Sequence, residues 1–419
     1  MSVLIYWFRN DLRLKDNPAF AQACVNADYV LPVYIHDLKE QETVYGFERQ
    51  GPHRKTFLRA SLDDLRAQLG VQGSDLLEFS GKSVDVLLGL LKDTAAKAIY
   101  CEQIEAPEEM GRVRTLREQG ADIQEFWQSS MLDPQELPFD LEKIPDVFTA
   151  FRREIERVRL KFAKPVDAPR DIPPLPAVLP QGAIEQMPAG LSLAHPYLLG
   201  GASRAQAHLK QYLERHLPDN YKETRNQLIG MDYSSKFSGW LALGCISARD
   251  IALQLSDYED RYGANDGTYW LWFELLWRDY FRFIHFKYGR KLYQASGLTG
   301  ALVRPSHAPS FERWRSGNTG VDLVDAGMRD LQQSGYLSNR MRQIVASYWI
   351  YDLKGDWREG AAWFESRLID YDVYSNQGNW LYIAGRGTDP RGGRPFNVAK
   401  QSQDHDPKEI YRKLWLSPE

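Results

Sequence analysis

Over the first 130 residues the apolar positions switch between two spacings. Short apolar runs of strand length, at 3–7, 29–34, 76–79, 98–101 and 123–127, are separated by segments whose apolar residues recur three and four apart. In 53–69 those residues are Phe57, Leu58, Leu62, Leu65 and Leu69, and segments 84–91 and 108–117 also read as helices. Strand alternating with helix predicts right-handed crossovers and a mostly parallel, Rossmann-like sheet, with ligands expected beyond the carboxyl ends of the strands. The pattern breaks near Pro134. Eight prolines fall between Pro165 and Pro196, a density that excludes long regular elements. One helix, over 147–162, is predicted before the densest part. From Ala202 onward helical spacing takes over, predicting helices at 202–215, 248–261, 270–287, 321–334, 339–353 and 358–369. The chain is therefore expected to hold an α/β domain over 1–130, an inter-domain connector over 131–200, and an all-α domain with a cavity over 201–419.

Composition narrows this little. Apolar content of 43% and charged content of 26% are ordinary for a globular chain. A net charge of −4 excludes a molecule that is basic throughout, though not a local basic face. Cys24, Cys101 and Cys245 form no disulfide framework, no zinc spacing and no four-thiolate iron–sulfur set, so no metal is expected and a reducing compartment fits. The chain starts on a strand-like run without a basic leader, and no apolar run approaches the roughly 18 residues of a membrane span. A soluble, cytoplasmic protein is expected. Tryptophan is the exception to the ordinary composition: ten of twelve lie at or beyond Trp240, which points to different tasks for the two halves.

Candidate chemistry concentrates in a few stretches. The loop after the first strand, with Arg9, Asp11 and Arg13, lacks G-x-G-x-x-G, which argues against a dinucleotide dehydrogenase; its charges read as pairing to tie the loop. Residues 370–394 are too polar for core and too aromatic for a solvated loop. Asp370, Asp372 and Asn376 beside Trp380 and Tyr382 suit a planar, polar-edged ligand, while a helix end followed by a basic loop with Arg386, Arg391 and Arg394 explains them equally well. Ser234-Ser235-Lys236-Phe237-Ser238, with Tyr221 and Lys222 upstream, reads as a phosphate seat or as a cluster of helix-capping serines. Glu274, Trp277 and Arg278 share one helix face, where they form either a nucleobase grip or an intrahelical ion pair. Arg340, Arg342 and Lys400 add positive charge of the kind that accompanies aromatic groups in single-strand binding, or a solvated face. Trp357 and Trp380 could pass electrons in steps; simple core packing is the alternative.

Taken in order, W-F-R-N-D-L-R-L, S-S-K-F-S-G-W-L-A-L-G-C-I-S, F-E-L-L-W-R-D-Y-F-R-F, L-S-N-R-M-R-Q-I-V-A-S and G-N-W-L-Y-I-A-G-R-G-T-D-P-R resemble the photolyase/cryptochrome family, and within it the cryptochrome DASH group. The resemblance implies an antenna domain followed by an all-α FAD-binding domain. It implies U-shaped FAD with Tyr221, Ser234, Ser235, Lys236 and Ser238 around the diphosphate. Arg342, Asp370, Asp372 and Asn376 match positions around the isoalloxazine and ribose, with Asn376 facing the flavin N5. Phe237, Glu274, Arg278 and Asn339 complete the implied cofactor-binding set. Glu105 matches an acidic position that binds the pterin ring of a 5,10-methenyltetrahydrofolate antenna. The implied reaction is blue-light repair of cyclobutane pyrimidine dimers, with Glu274 and Trp277 contacting the lesion. The implied partners are DNA carrying such dimers, single strands preferred, and RNA as a further nucleic acid; no membrane partner and no second subunit are expected.

Three departures from the classical dimer photolyases bear on function. Tyr382 replaces a second substrate-facing Trp and Gln343 replaces a Met, both as in the DASH group; the two together suggest a weaker hold on duplex DNA. Trp380 and Trp357 match the inner members of a photoreduction triad, but Arg304 occupies the outer position, where Trp349 or Trp314 could substitute. The alternative reading is a photoreceptor that binds FAD and nucleic acid without efficient repair. The chain stops soon after Trp415 with no long signalling tail, which favours repair. Asn339 and Gln343 stand where enzymes of (6-4) lesions carry a histidine pair, which disfavours that specificity.

Overall fold

The computed structural model describes residues 2–183, 197–301 and 308–417. Its first part is a five-stranded parallel sheet. The elements run β1 (Val3–Phe8), α1 (Pro18–Asn26), β2 (Tyr29–Asp37), a small antiparallel hairpin of β3 (Thr43–Val44) and β4 (Phe47–Glu48), α2 (Pro52–Val71), β5 (Leu77–Gly81), α3 (Ser83–Thr94), β6 (Ala98–Glu102), α4 (Pro107–Glu118) and β7 (Ile123–Phe126). Spatial order is β5-β2-β1-β6-β7, so β1 is central, with Ile5 opposite Leu31 on one side and Ile99 on the other. Successive residues of β1 point to opposite faces. Ile5 and Trp7 pack with Leu87 and Leu90 of α3 and Val113 and Leu116 of α4. Leu4, Tyr6 and Phe8 pack with Phe20 of α1 and with Phe57, Leu62 and Leu65 of α2. That second face does not end at the sheet's own helices. It continues into one apolar core with the helical part.

The helical part holds α5 (Phe148–Val158), α6 (Ala202–Glu214), α7 (Tyr221–Thr224), α8 (Ser238–Ala242), α9 (Ala248–Tyr262) and the long α10 (Asp266–Tyr288). These are followed by α11 (Ala308–Arg315), α12 (Asp322–Ser334), α13 (Asn339–Ser347), α14 (Trp357–Arg367), α15 (Val373–Ala384), α16 (Val398–His405) and α17 (Ile410–Leu416). Three sequence expectations change. The helix α1, started by Asn17 accepting from the Phe20 N–H with Pro18 at its first position, is invisible to apolar spacing. The single helix expected over 339–353 stops at Ser347 and passes into a π-helical turn, Tyr348–Asp352, which carries the buried Trp349. Residues 373–384, part of the stretch read as ligand loop or helix end, are a complete helix capped by Asp372.

The loop after β1 joins the two parts. Arg9, Asp11 and Arg13 are all buried, but hydrogen bonds to neighbours, rather than charge pairing among themselves, hold them. Asp11 accepts from the Arg9 N–H, Asn17 and Gln128. Arg13 donates to the Asp16 and Gly244 carbonyls, and the Leu12 N–H donates to the Leu243 carbonyl at 3.0 Å. Gly244 has φ +64°, and a Cβ there would collide with the Asn10 carbonyl, so this crossing needs glycine. On the opposite side Asp279 of α10 accepts from the Met131 and Leu132 N–H groups.

Candidate functional site

Between α8, α10, α13 and α15 lies a cavity of about 1290 Å³, counting its open mouth. One end is built by the loop before α8. Ser234 and Lys236 both take left-handed backbone, φ 57° and 58°. For residues with a Cβ this costs on the order of 1 kcal/mol each and persists where the surroundings hold it. Tyr221, Ser234, Ser235, Lys236, Phe237 and Ser238 all line this end. Lys236 is 1% exposed and its Nζ has no hydrogen-bond partner. It lies 3.1 Å from the centre of the Tyr233 ring and 4.9 Å from that of Tyr336. Burial pulls its pKa down to about 7. A buried ammonium without a counter-charge is costly, and a diphosphate placed here would supply one.

The middle of the cavity carries paired carboxylates. The Arg342 Nη2 donates to Asp370 Oδ2 at 2.7 Å and its Nε to the Leu337 carbonyl; the other oxygen of Asp370 has no partner. Asp372 accepts from the Ser375 N–H at 2.8 Å and pairs with Arg282 at 2.5 Å. Burial pushes the Asp372 carboxyl up, but Arg282 and Arg278 hold it down at about 2. Arg278 is itself brought down to about 9 by burial and by Arg282. The Asn376 Nδ2 donates to the Ala361 carbonyl at 3.0 Å. Trp380 is buried beside the cavity, and a Cβ at Gly360 would strike its ring. An amphipathic ring with a polar edge fits this donor and acceptor set.

At the mouth stand Glu274, Asn339 and Gln343. Glu274 forms an ion pair with Arg225, whose guanidinium lies 4.3 Å from the centre of the Trp270 ring. Arg340 donates to Gln343 at 3.1 Å and to Asn226 at 3.2 Å.

Several sequence-stretch candidates stand elsewhere. Trp277 is not a wall of the cavity. Its ring is stacked on Phe148 of the connector helix, centroids 3.7 Å apart and 15° from parallel, with Tyr382 edge-on at 5.7 Å. Tyr382 in turn sits under Arg394, which bonds its hydroxyl and pairs with Asp389 at 2.9 Å. Arg386 donates to the Ala301 carbonyl, while Arg391 and Lys400 are exposed. Trp357 donates to the Ala295 carbonyl and has no ring contact with Trp380 among the described residues. Trp380 instead meets Trp314 edge-on at 6.3 Å, and Trp314 stacks on Trp349 at 5.3 Å. Arg304 lies outside the described residues.

A separate crevice of about 620 Å³ opens at the carboxyl ends of β1 and β2, with Trp7, Asp37, Arg54, Arg112 and Tyr371 among its walls. Glu105 lies just past β6 and is not part of that wall; its side chain accepts from Gln103 and its N–H donates to the Tyr374 hydroxyl. Arg225, Arg282 and Phe148 are residues that sequence reading missed. Arg282 lies inside a quoted motif, four residues past Arg278, and that spacing was its available signal.

These features suit a two-part protein with a ring-and-phosphate ligand in its helical part, and the comparisons name the class. Residues 4–174 match the family described as DNA photolyase, and residues 270–419 match the FAD binding domain of DNA photolyase. The protein is thus a flavoprotein of the photolyase fold. A cryptochrome DASH from Gloeobacter violaceus is 44% identical over 428 residues, covering 99% of this chain and 85% of that protein. The crystal structure of a Synechocystis cryptochrome superposes with a TM-score of 0.92 at 40% identity, covering 99% and 89% of the two chains. A class III photolyase from Agrobacterium tumefaciens gives 0.85 at 27% identity, covering 99% and 86%. The chain belongs to the photolyase/cryptochrome family, with homologues in its cryptochrome DASH group. No helix among the described residues is long and apolar enough to cross a membrane.

Proposed function

We propose that this protein repairs cyclobutane pyrimidine dimers under blue light, preferring single-stranded DNA. The observation that carries the reading is the graded cavity: an unpartnered buried ammonium at one end, paired carboxylates along the middle, and Glu274 at an open mouth. With FAD bound, the site has a blue-light absorber that can lend a lesion one electron, so that its two cyclobutane C–C bonds break and the electron returns without net oxidation. The chain's own residues position and select. Lys236 and the hydroxyls of Ser234, Ser235 and Ser238 would hold the diphosphate, with Tyr221 and Phe237 closing that end. Arg342, Asp370, Asp372 and Asn376 would fix the ring edge, with Arg278 and Asn339 beside them. Glu274 would accept hydrogen bonds from the extruded bases. Trp380 would be the first donor for photoreduction; Trp357 would be its partner without ring contact among the described residues, whereas Trp314 and Trp349 continue from it ring to ring. A methenyltetrahydrofolate antenna held near Glu105 completes the reading.

A single-strand preference is supported by two rings outside the cavity wall that are already covered: Trp277 by Phe148 and Tyr382 by Arg394, leaving less open ring surface to compete with base stacking. The same covering of Trp277 favours a second reading, a receptor that binds FAD and nucleic acid without efficient repair. The deciding experiment illuminates the reduced protein with dimer-containing single-stranded and duplex oligonucleotides and measures restored thymine. Restoration on the single strand is expected; none on either substrate leaves the receptor reading.

A further inference from the structure

The ion pair at the mouth sets up a competition. Glu274 is the mouth carboxylate assigned above to the extruded bases, yet it is bound to Arg225. Arg225 lies over the Trp270 ring, 4.3 Å from its centre, and a second guanidinium, that of Arg340, is close enough to feel its charge. Arg340's hydrogen-bond acceptors are the neutral side-chain amides of Gln343 and Asn226, and its Nε is buried without a partner. Of the two guanidiniums only Arg225 is paired with Glu274; the carboxylate acting on Arg340 is that of Asp404. If Glu274 turns to the bases, Arg225 loses its ion-pair partner while the Arg340 guanidinium still faces it, unless an anion arrives with the substrate. The nucleic-acid backbone carries such an anion.

We propose that Arg225 is a positioning residue: it holds Glu274 until a backbone phosphate of the bound strand takes its guanidinium, which releases the carboxylate to the lesion. The idea rests on the repair reading for Glu274's final role, but the exchange itself concerns only Arg225, Glu274 and phosphate. Because linkage is reciprocal, whatever weakens the pair must strengthen the phosphate contact. Independent contacts would show no such coupling.

The test uses flavin-loaded protein in the dark and undamaged oligothymidylate as the probe, read by fluorescence anisotropy at fixed ionic strength. Glu274→Gln should tighten binding about fivefold, the size of a partly exposed ion pair. In an Arg225→Met background the same Glu274→Gln change should have no effect, and Arg225→Lys should restore part of it. Equal tightening with and without Arg225 would mean only that a negative charge had been removed from the rim, and would overturn the proposal, as would no tightening in the Glu274→Gln single variant. Unchanged flavin absorbance in every variant verifies that the cavity is intact. Thymine restoration is measured on the same preparations: its absence would end the repair reading without affecting the anisotropy result, and the converse also holds.

Discussion

The two ends of the cavity are built on opposite principles. At the inner end, charge is buried without a protein partner or is locked in dry pairs: Lys236 is 1% exposed with a free Nζ, and Arg282 and Asp372 have side chains 2% and 12% exposed. At the mouth, Arg225 and Glu274 pair with each other and are partly wet, their side chains 23% and 32% exposed. Uncompensated buried charge is tolerable where a resident ligand completes it, and self-paired charge suits a ligand that comes and goes. On the proposed reading, the inner end therefore suits a cofactor and the rim a substrate.

Mutations that treat the ends alike should reveal the difference. The largest effect is expected from Arg282→Leu, which strands the Asp372 carboxylate in the interior and should cost about 3 kcal/mol in denaturant unfolding. Lys236→Met comes next. It should weaken FAD binding about 100-fold, measured by titrating flavin into stripped protein, with little loss of the fold. Its pH dependence sharpens the point. The folded pKa of Lys236 is depressed to about 7, so between that value and the ordinary lysine range the unfolded chain binds more protons than the folded one. The flavin-stripped protein should therefore gain stability as pH rises above 7, while flavin binding, which needs the charged ammonium, weakens by up to tenfold per pH unit. Lys236→Met should flatten both slopes. Glu274→Ala should slow repair about tenfold and leave flavin content unchanged; lost flavin would move Glu274 from the rim to the inner end. Arg225→Met should be the mildest, under about 1 kcal/mol of stability.

The local patterns of the chain announced much of this. The Ser234–Ser238 cluster sits at the cavity end on residues adjacent in sequence, so its grouping was visible in the sequence, while phosphate seat and capping serines both stayed readable there. Asp372 was visible as a carboxylate but not as the cap of α15 or the partner of Arg282, because that helix has almost no apolar stripe and the partner is 90 positions away. Arg225 belongs to no motif; only the fold brings it to Glu274. Phe148 was hidden for the same reason, since its meaning comes from Trp277. The break at Ser347 escaped because apolar residues, Trp349 and Ile350, continue past it with no glycine or proline to mark the change to a π turn.

The shared core beneath β1 has a mechanical consequence. Tyr6 and Phe8 belong to the same apolar cluster as Leu275, Trp314 and Trp380, and the loop after β1 is sewn to Leu243 and Gly244. Tyr371 lines both the crevice at the sheet and the cavity of the helical part. Among the described residues the two chambers share one core and the Tyr371 wall, so their spacing and mutual orientation are set with the fold. Any process that depends steeply on distance between a group in one and a group in the other would run at a rate fixed by the architecture, insensitive to what happens at the rim.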